Sequence, residues 1–214
     1  MKNIAKINVI IFIYLSGGSM KKCIFCNIDK DKIYNKVLGE TDNFIVLPSL
    51  GSLVEGYILI VSKHHLYNMG ELADSEKDEY MELLNKYRYI FNKIYGKYPI
   101  IFEHGMSRLD IENGASSVVH AHTHIVNFNF NNEDDITKEL NFEEIEEINN
   151  IDSNKNYIFY ISHSDKKYIT YNSEKKSQLM RILIAKELGF IDKYNWKEEP
   201  FTNNIIKTIE KLNK

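Results

Sequence analysis

The chain has 214 residues, 43% of them apolar, and a formal charge of −3. Such a length carries one sizeable domain, or one domain with an appendage, and the apolar content is ordinary for a folded soluble protein. No basic block occurs anywhere, which argues against extended DNA or RNA as a partner; a short nucleotide needs only a few local cations. Two cysteines are too few for a disulfide scaffold at this size.

Residues 1–19 read as an N-terminal extension. Lys2 and Lys6 precede the apolar run Val9 to Leu15, followed by Ser16-Gly17-Gly18-Ser19. The pattern mimics a secretory signal, but the run is far short of the roughly 20 apolar residues a spanning helix needs. An extension upstream of Met20, where the recognisable domain begins, is the preferred reading. The domain is expected over 20–200, with a helical tail over 201–214, in the cytoplasm and without a membrane contact.

Phe44 to Pro48 and Tyr57 to Val61 read as strands across a Gly- and Pro-bearing turn. A long helix follows, with Ser75 as N-cap, apolar residues Tyr80, Leu84, Tyr87, Phe91 and Ile94 at helical spacing, and Gly96 as its stop. Ile100 to Phe102 is a short strand. A loop from His104 to Ser116 leads into a strand from Val118 to about Phe128. Asn131 to Asp152 is acidic, solvated and partly helical. Tyr157 to Tyr160 and Tyr168 to Tyr171 form a hairpin across Ser164-Asp165-Lys166. Ser177 to Leu188 is a helix closed by Gly189. Hairpins and helices without regular alternation predict an α+β fold with an antiparallel sheet.

Three of the seven histidines fall within Val118-Val119-His120-Ala121-His122-Thr123-His124-Ile125-Val126. Strand side chains alternate, so His120, His122 and His124 share one face, with neighbouring rings about 6.6 Å apart. They can serve one site without forming one ligand cluster. Cys23 and Cys26 have C-x-x-C spacing, which serves either as half of a zinc site or as a redox dithiol.

The H-x-H-x-H row resembles the signature of the histidine triad superfamily. Cys23 to Ile28, Leu53 to Ile60 with Lys63-His64-His65, Phe102-Glu103-His104-Gly105 and Ser177 to Arg181 resemble further segments of a zinc-containing bacterial branch. The likeness runs from about Cys23 to Trp196. It implies a five-stranded antiparallel sheet with flanking helices, often paired as a homodimer.

The resemblance also implies the chemistry. His122 is the nucleophile that takes a nucleotidyl group from a phosphate-linked nucleotide, and water then releases the monophosphate. His124 assists the phosphate or the leaving group, and Ser117 reaches the leaving-group side. A histidine at the third position, rather than glutamine, implies the hydrolase branch. Phe25, Ile28 and Leu50 are expected in the base pocket. The family's ribose-binding Asp falls on Ser49, which cannot grip two hydroxyls as a carboxylate can. The usual Pro after the triad is replaced by Asn127-Phe128. Arg108 and Arg181, with Gln178 beside the latter, are expected at phosphate oxygens, which guanidinium matches well. Structural zinc is expected on Cys23, Cys26, His65 and His120.

The substrate class is thus a nucleoside phosphoramidate, an adenylated conjugate or a dinucleoside polyphosphate. The alternative is a non-catalytic, zinc-stabilised nucleotide-binding module. A DNA-end deadenylase, a third chemistry of the superfamily, is disfavoured by the missing basic surface.

Overall fold

The computed structural model describes residues 23–108, 110, 119–148, 151–171 and 178–213. The expected extension over 1–19 lies outside the described residues. In chain order the elements are β1 (Gly39–Glu40), β2 (Phe44–Pro48), β3 (Tyr57–Ser62), α1 (Asp74–Tyr95), β4 (Ile100–Gly105), β5 (His122–Val126), α2 (Glu133–Glu139), β6 (Glu143–Ile145), β7 (Tyr157–Ile161), β8 (Lys167–Thr170), α3 (Leu179–Glu187) and α4 (Thr202–Leu212).

The strands form one sheet in the order β1-β2-β3-β5-β4-β7-β8-β6, and every neighbouring pair is antiparallel. The fold is α+β, as expected, but the sheet has eight strands rather than five. The outer strands pair locally. β7 pairs along β4 from Ile101↔Ile161 to Gly105↔Tyr157, and β8 returns beside β7. β1 is two residues long and β6 reads Glu-Glu-Ile; both pair through backbone groups and carry no apolar alternation to announce them.

β3 is buried at all six positions. A strand covered on both faces reads as a continuous apolar run instead of alternating. Ile58 and Ile60 pack with Tyr80, Leu84 and Phe91 of α1 on one face. Tyr57, Leu59 and Val61 pack with Met180, Leu183 and Ile184 of α3 on the other. α1 starts one residue before the expected cap, with Ala73 as N-cap, because the Ala73 N–H donates to the Glu76 carboxylate at 2.8 Å. It ends at Gly96, whose φ of 71° is the left-handed conformation that glycine adopts freely.

The C-terminal segment is docked. In α4 the Thr208 hydroxyl accepts from the Gly56 N–H at 2.8 Å, and Asn204 donates to the Ser52 carbonyl at 2.8 Å. Lys211 reaches Glu55 at 2.7 Å. α4 thereby clamps the β2–β3 connection. No helix among the described residues is long and apolar enough to cross a membrane.

On the α1 side of the sheet, Glu103 is buried. It accepts from the Met69 N–H at 2.8 Å and from the Tyr157 hydroxyl, and burial pushes its carboxyl up to about 7. A folded-state value above the unfolded one means that Glu103 favours folding when protonated. Its contribution is full below about 4.5 and is lost as pH rises through about 7. Glu103→Gln, which removes the charge and keeps the shape, should therefore gain stability relative to the parent by up to about 3 kcal/mol between pH 5 and 8. Urea denaturation of both proteins across that range checks this; a difference that does not change with pH refutes it.

Candidate active site

His122 and His124 stand on β5 opposite Val61 and Leu59 of β3, on the face that carries α3. His120 precedes the strand. The Ala121 N–H donates to the Leu66 carbonyl at 2.7 Å and the Ala121 carbonyl accepts from Ser62 N–H at 3.2 Å, so the backbone leaves the ladder there. The strand is accordingly shorter than the expected 118–128. The three rings nevertheless remain neighbours. Phe25 lies 5.5 Å from His120 and 5.2 Å from His122, centroid to centroid, and His122 lies 4.9 Å from His124. That is closer than the strand repeat alone predicts, because the rings lean together.

Backbone carbonyls fix two of the three imidazoles. His122 Nδ1 lies 2.6 Å from the His120 carbonyl, and His120 Nε2 lies 2.7 Å from the Ser62 carbonyl. A carbonyl only accepts, so those nitrogens carry the protons. Burial holds His122 below the usual imidazole range and pushes His120 down to about 4, so both rings are neutral near pH 7. The remaining nitrogens, His122 Nε2 and His120 Nδ1, therefore keep open lone pairs.

The His120 lone pair faces sulfur. His120 Nδ1 is 3.3 Å from Cys23 Sγ and 3.6 Å from Cys26 Sγ, and His65 Nδ1 is 3.1 Å from Cys26 Sγ. The four donor atoms of Cys23, Cys26, His65 and His120 all lie within 4.8 Å of one another. Tetrahedral zinc with thiolate and imidazole ligands has ligand–ligand edges of about 3.3–3.8 Å. The donor set and its spacing fit that ion. His64, the neighbour of His65, points away, with its Nε2 4.0 Å from Glu76.

Beside the cluster is a cavity of about 230 Å³ with His122 and His124 in its lining. Phe25, Ser49, Leu50 and Arg181 line it as well, so six of the residues expected at the site meet around one space. Ile28 packs into the apolar cluster on this face without lining the cavity. Gln178 opens α3 with φ 63° and accepts from the Trp196 N–H at 3.5 Å. Arg108 stands on the surface, where its Nε donates to Glu71 at 3.1 Å and its guanidinium covers the Tyr67 ring at 4.6 Å. Ser117 lies outside the described residues.

Arg181 is buried. Its Nη2 donates to the Gly51 carbonyl at 2.6 Å and its Nε to the Tyr194 carbonyl at 3.0 Å. It bolts two loops to the rim and delivers a positive charge to the floor. Burial first, then His122, Arg181 and His104, hold His124 well below the ordinary imidazole range.

Several lining residues were not singled out from the sequence. Trp196 and Tyr34 supply aromatic walls, and Asp29, Asn27 and Asn35 supply polar ones. Tyr57 is buried beneath, with its hydroxyl 3.0 Å from His124 Nδ1. The run of Asn and Asp after the C-x-x-C pair was the available signal for the polar wall. Trp196 and Tyr57 are placed by tertiary packing alone.

Comparison with known proteins follows the geometry. A family model described as the scavenger mRNA decapping enzyme C-terminal binding domain matches residues 22–139, more than half of the chain. Nothing among curated proteins matches. Among solved structures, a hypothetical histidine triad nucleotide-binding protein from Sulfolobus tokodaii is similar at 18% identity and a TM-score of 0.39, over 49% of this chain and 67% of that one. A zinc-bound histidine triad family protein from Mycobacterium smegmatis is similar at 15% identity and a TM-score of 0.41, over 53% and 80%. A HIT family member from Bacillus subtilis is similar at 21% identity and a TM-score of 0.38, over 49% and 72%. Since the family model spans the zinc-type cluster, the β2–β3 hairpin and the histidine strand together, the chain belongs to that family and, through it, to the histidine triad superfamily.

Proposed function

We propose that the chain is a nucleotide hydrolase or nucleotidyl transferase that works through a nucleotidyl-histidine intermediate on His122. The observation that carries this reading is the 2.6 Å contact from His122 Nδ1 to the His120 carbonyl. It commits the ring's proton to the backbone and leaves Nε2 as an unprotonated nucleophile beside the cavity. Nε2 forms a bond to the phosphorus that carries the nucleoside, and the bond from phosphorus to the leaving group breaks. The leaving group departs with the electron pair and takes up a proton. Water then displaces the imidazole and releases the nucleoside monophosphate. The Arg181 charge near His124 favours the anionic phosphate at the floor.

The Cys23, Cys26, His65 and His120 cluster would hold zinc with no open position, a structural ion that ties the N-terminal segment to the approach to β5. The His120 carbonyl that orients His122 belongs to a ligand of that ion. A thiolate pair of this kind suits a reducing compartment, in keeping with a cytoplasmic site. A homodimer remains the expectation drawn from the family resemblance, and light scattering of the purified chain measures it.

A screen of AMP-phosphoramidate, diadenosine polyphosphates, a cap dinucleotide and UDP-sugars on the full chain tests the activity. Release of a nucleoside monophosphate supports it. Nucleotide binding without turnover of any of these refutes it in favour of a binding module. Trp196 carries the largest aromatic ring among the residues that line the cavity. Trp196→Ala should raise KM about tenfold with kcat nearly unchanged, the usual cost of losing one base-stacking partner. Unchanged KM would place the base elsewhere.

A further inference from the structure

We infer that Tyr57 is a positioning residue whose hydroxyl decides which nitrogen of His124 carries the proton. The His124 ring is held on two sides. It stacks on Phe102 with centroids 4.5 Å apart and planes at 13°, which sets its plane. The Tyr57 hydroxyl lies 3.0 Å from Nδ1, which sets the rotation within that plane. What remains is the direction of the hydrogen bond between them.

The chemistry of the pair decides that direction. A buried phenol O–H needs an acceptor, and it is a stronger donor than a neutral imidazole N–H, while an imidazole nitrogen is a stronger acceptor than a phenol oxygen. The Arg181 guanidinium, 5.5 Å from the Tyr57 ring centre, strengthens the phenol O–H as a donor further. The phenol proton therefore goes to His124 Nδ1. A neutral imidazole has one N–H, and burial keeps His124 neutral. That N–H is then at Nε2, where it can donate to a phosphate oxygen or to the departing atom.

The catalytic consequence rests on the nucleotidyl-transfer reading, whereas the tautomer does not. The test uses the full chain labelled with 15N-histidine, with His124 signals assigned through a His124→Gln variant. Long-range 1H–15N spectra should show His124 protonated at Nε2. In Tyr57→Phe, which keeps the ring and removes the hydroxyl, the His124 nitrogen shifts should move toward a mixture of tautomers. On AMP-phosphoramidate, kcat should fall about 10- to 100-fold with KM within about twofold. On the p-nitrophenyl ester of AMP, whose leaving group departs without a proton, the fall should be much smaller. Protonation at Nδ1 in the parent chain overturns the inference, as do unchanged shifts in Tyr57→Phe. A parent chain that turns over no nucleotide refutes the proposed activity instead, and the spectra still decide the role of Tyr57.

Discussion

His122→Asn should abolish turnover, by at least about 10⁴-fold in kcat, while the fold and the nucleotide affinity are retained. Asparagine can still offer an amide N–H to the His120 carbonyl, the bond His122 makes at 2.6 Å. It has no second nitrogen with a lone pair to attack phosphorus, so the covalent step has no substitute. The surrounding contacts are mainly rings, Phe25 at 5.2 Å and His124 at 4.9 Å, and a smaller polar side chain among them costs little packing. Circular dichroism should be unchanged. Rapid quenching of the parent with labelled substrate, followed by mass spectrometry, should find the nucleotidyl adduct on His122. An adduct elsewhere, or turnover in His122→Asn within tenfold of the parent, refutes the mechanism.

Removing the metal should have the largest effect on stability. A structural ion present at about 1,000 times its dissociation constant contributes about 4 kcal/mol by mass action, and at this chain length that corresponds to roughly 8–16 °C in Tm. Purified protein should contain near-stoichiometric zinc. Chelation by phenanthroline, or His120→Ala, should lower Tm by that amount. Turnover should fall with it, because the His120 carbonyl orients His122. His65→Ala should behave similarly. His64→Ala should not, since that imidazole faces Glu76 at 4.0 Å rather than the cysteines. Metal-free protein with a Cys23–Cys26 disulfide would establish the dithiol reading instead.

The parts of this molecule that were legible in the sequence are those where one short segment carries the whole signal. Alternate histidines on apolar strand formers announce a one-faced row, and the row is there, although the backbone departs from the ladder at Ala121. The C-x-x-C pair announced half of a cluster, and family resemblance supplied its other half, His65 and His120. Helix α1 and the β7–β8 hairpin follow from period and turn chemistry. β6 did not, because Glu143-Glu144-Ile145 has the composition of a solvated loop and pairs only because β8 offers it an edge. Tyr57 reads as one more apolar-run residue of a central strand; its meeting with His124 depends on the β3–β5 register. Trp196 reaches the cavity from a segment well beyond the family-model match.

The order of the sheet also bears on how the chain behaves at high concentration. An outer strand with a long row of unpaired N–H and C=O groups is a template for another polypeptide. Among the described residues, the outermost strands here are the two-residue β1 and the three-residue β6. Each also carries glutamate, Glu40 on one side and Glu143 and Glu144 on the other. Two copies meeting edge to edge would gain few hydrogen bonds and would bring like charges together. The long apolar strands that make this sheet a good scaffold are all interior to it, shielded from the runaway strand addition that leads to fibres, and any specific self-association has to be built from helix and loop surfaces.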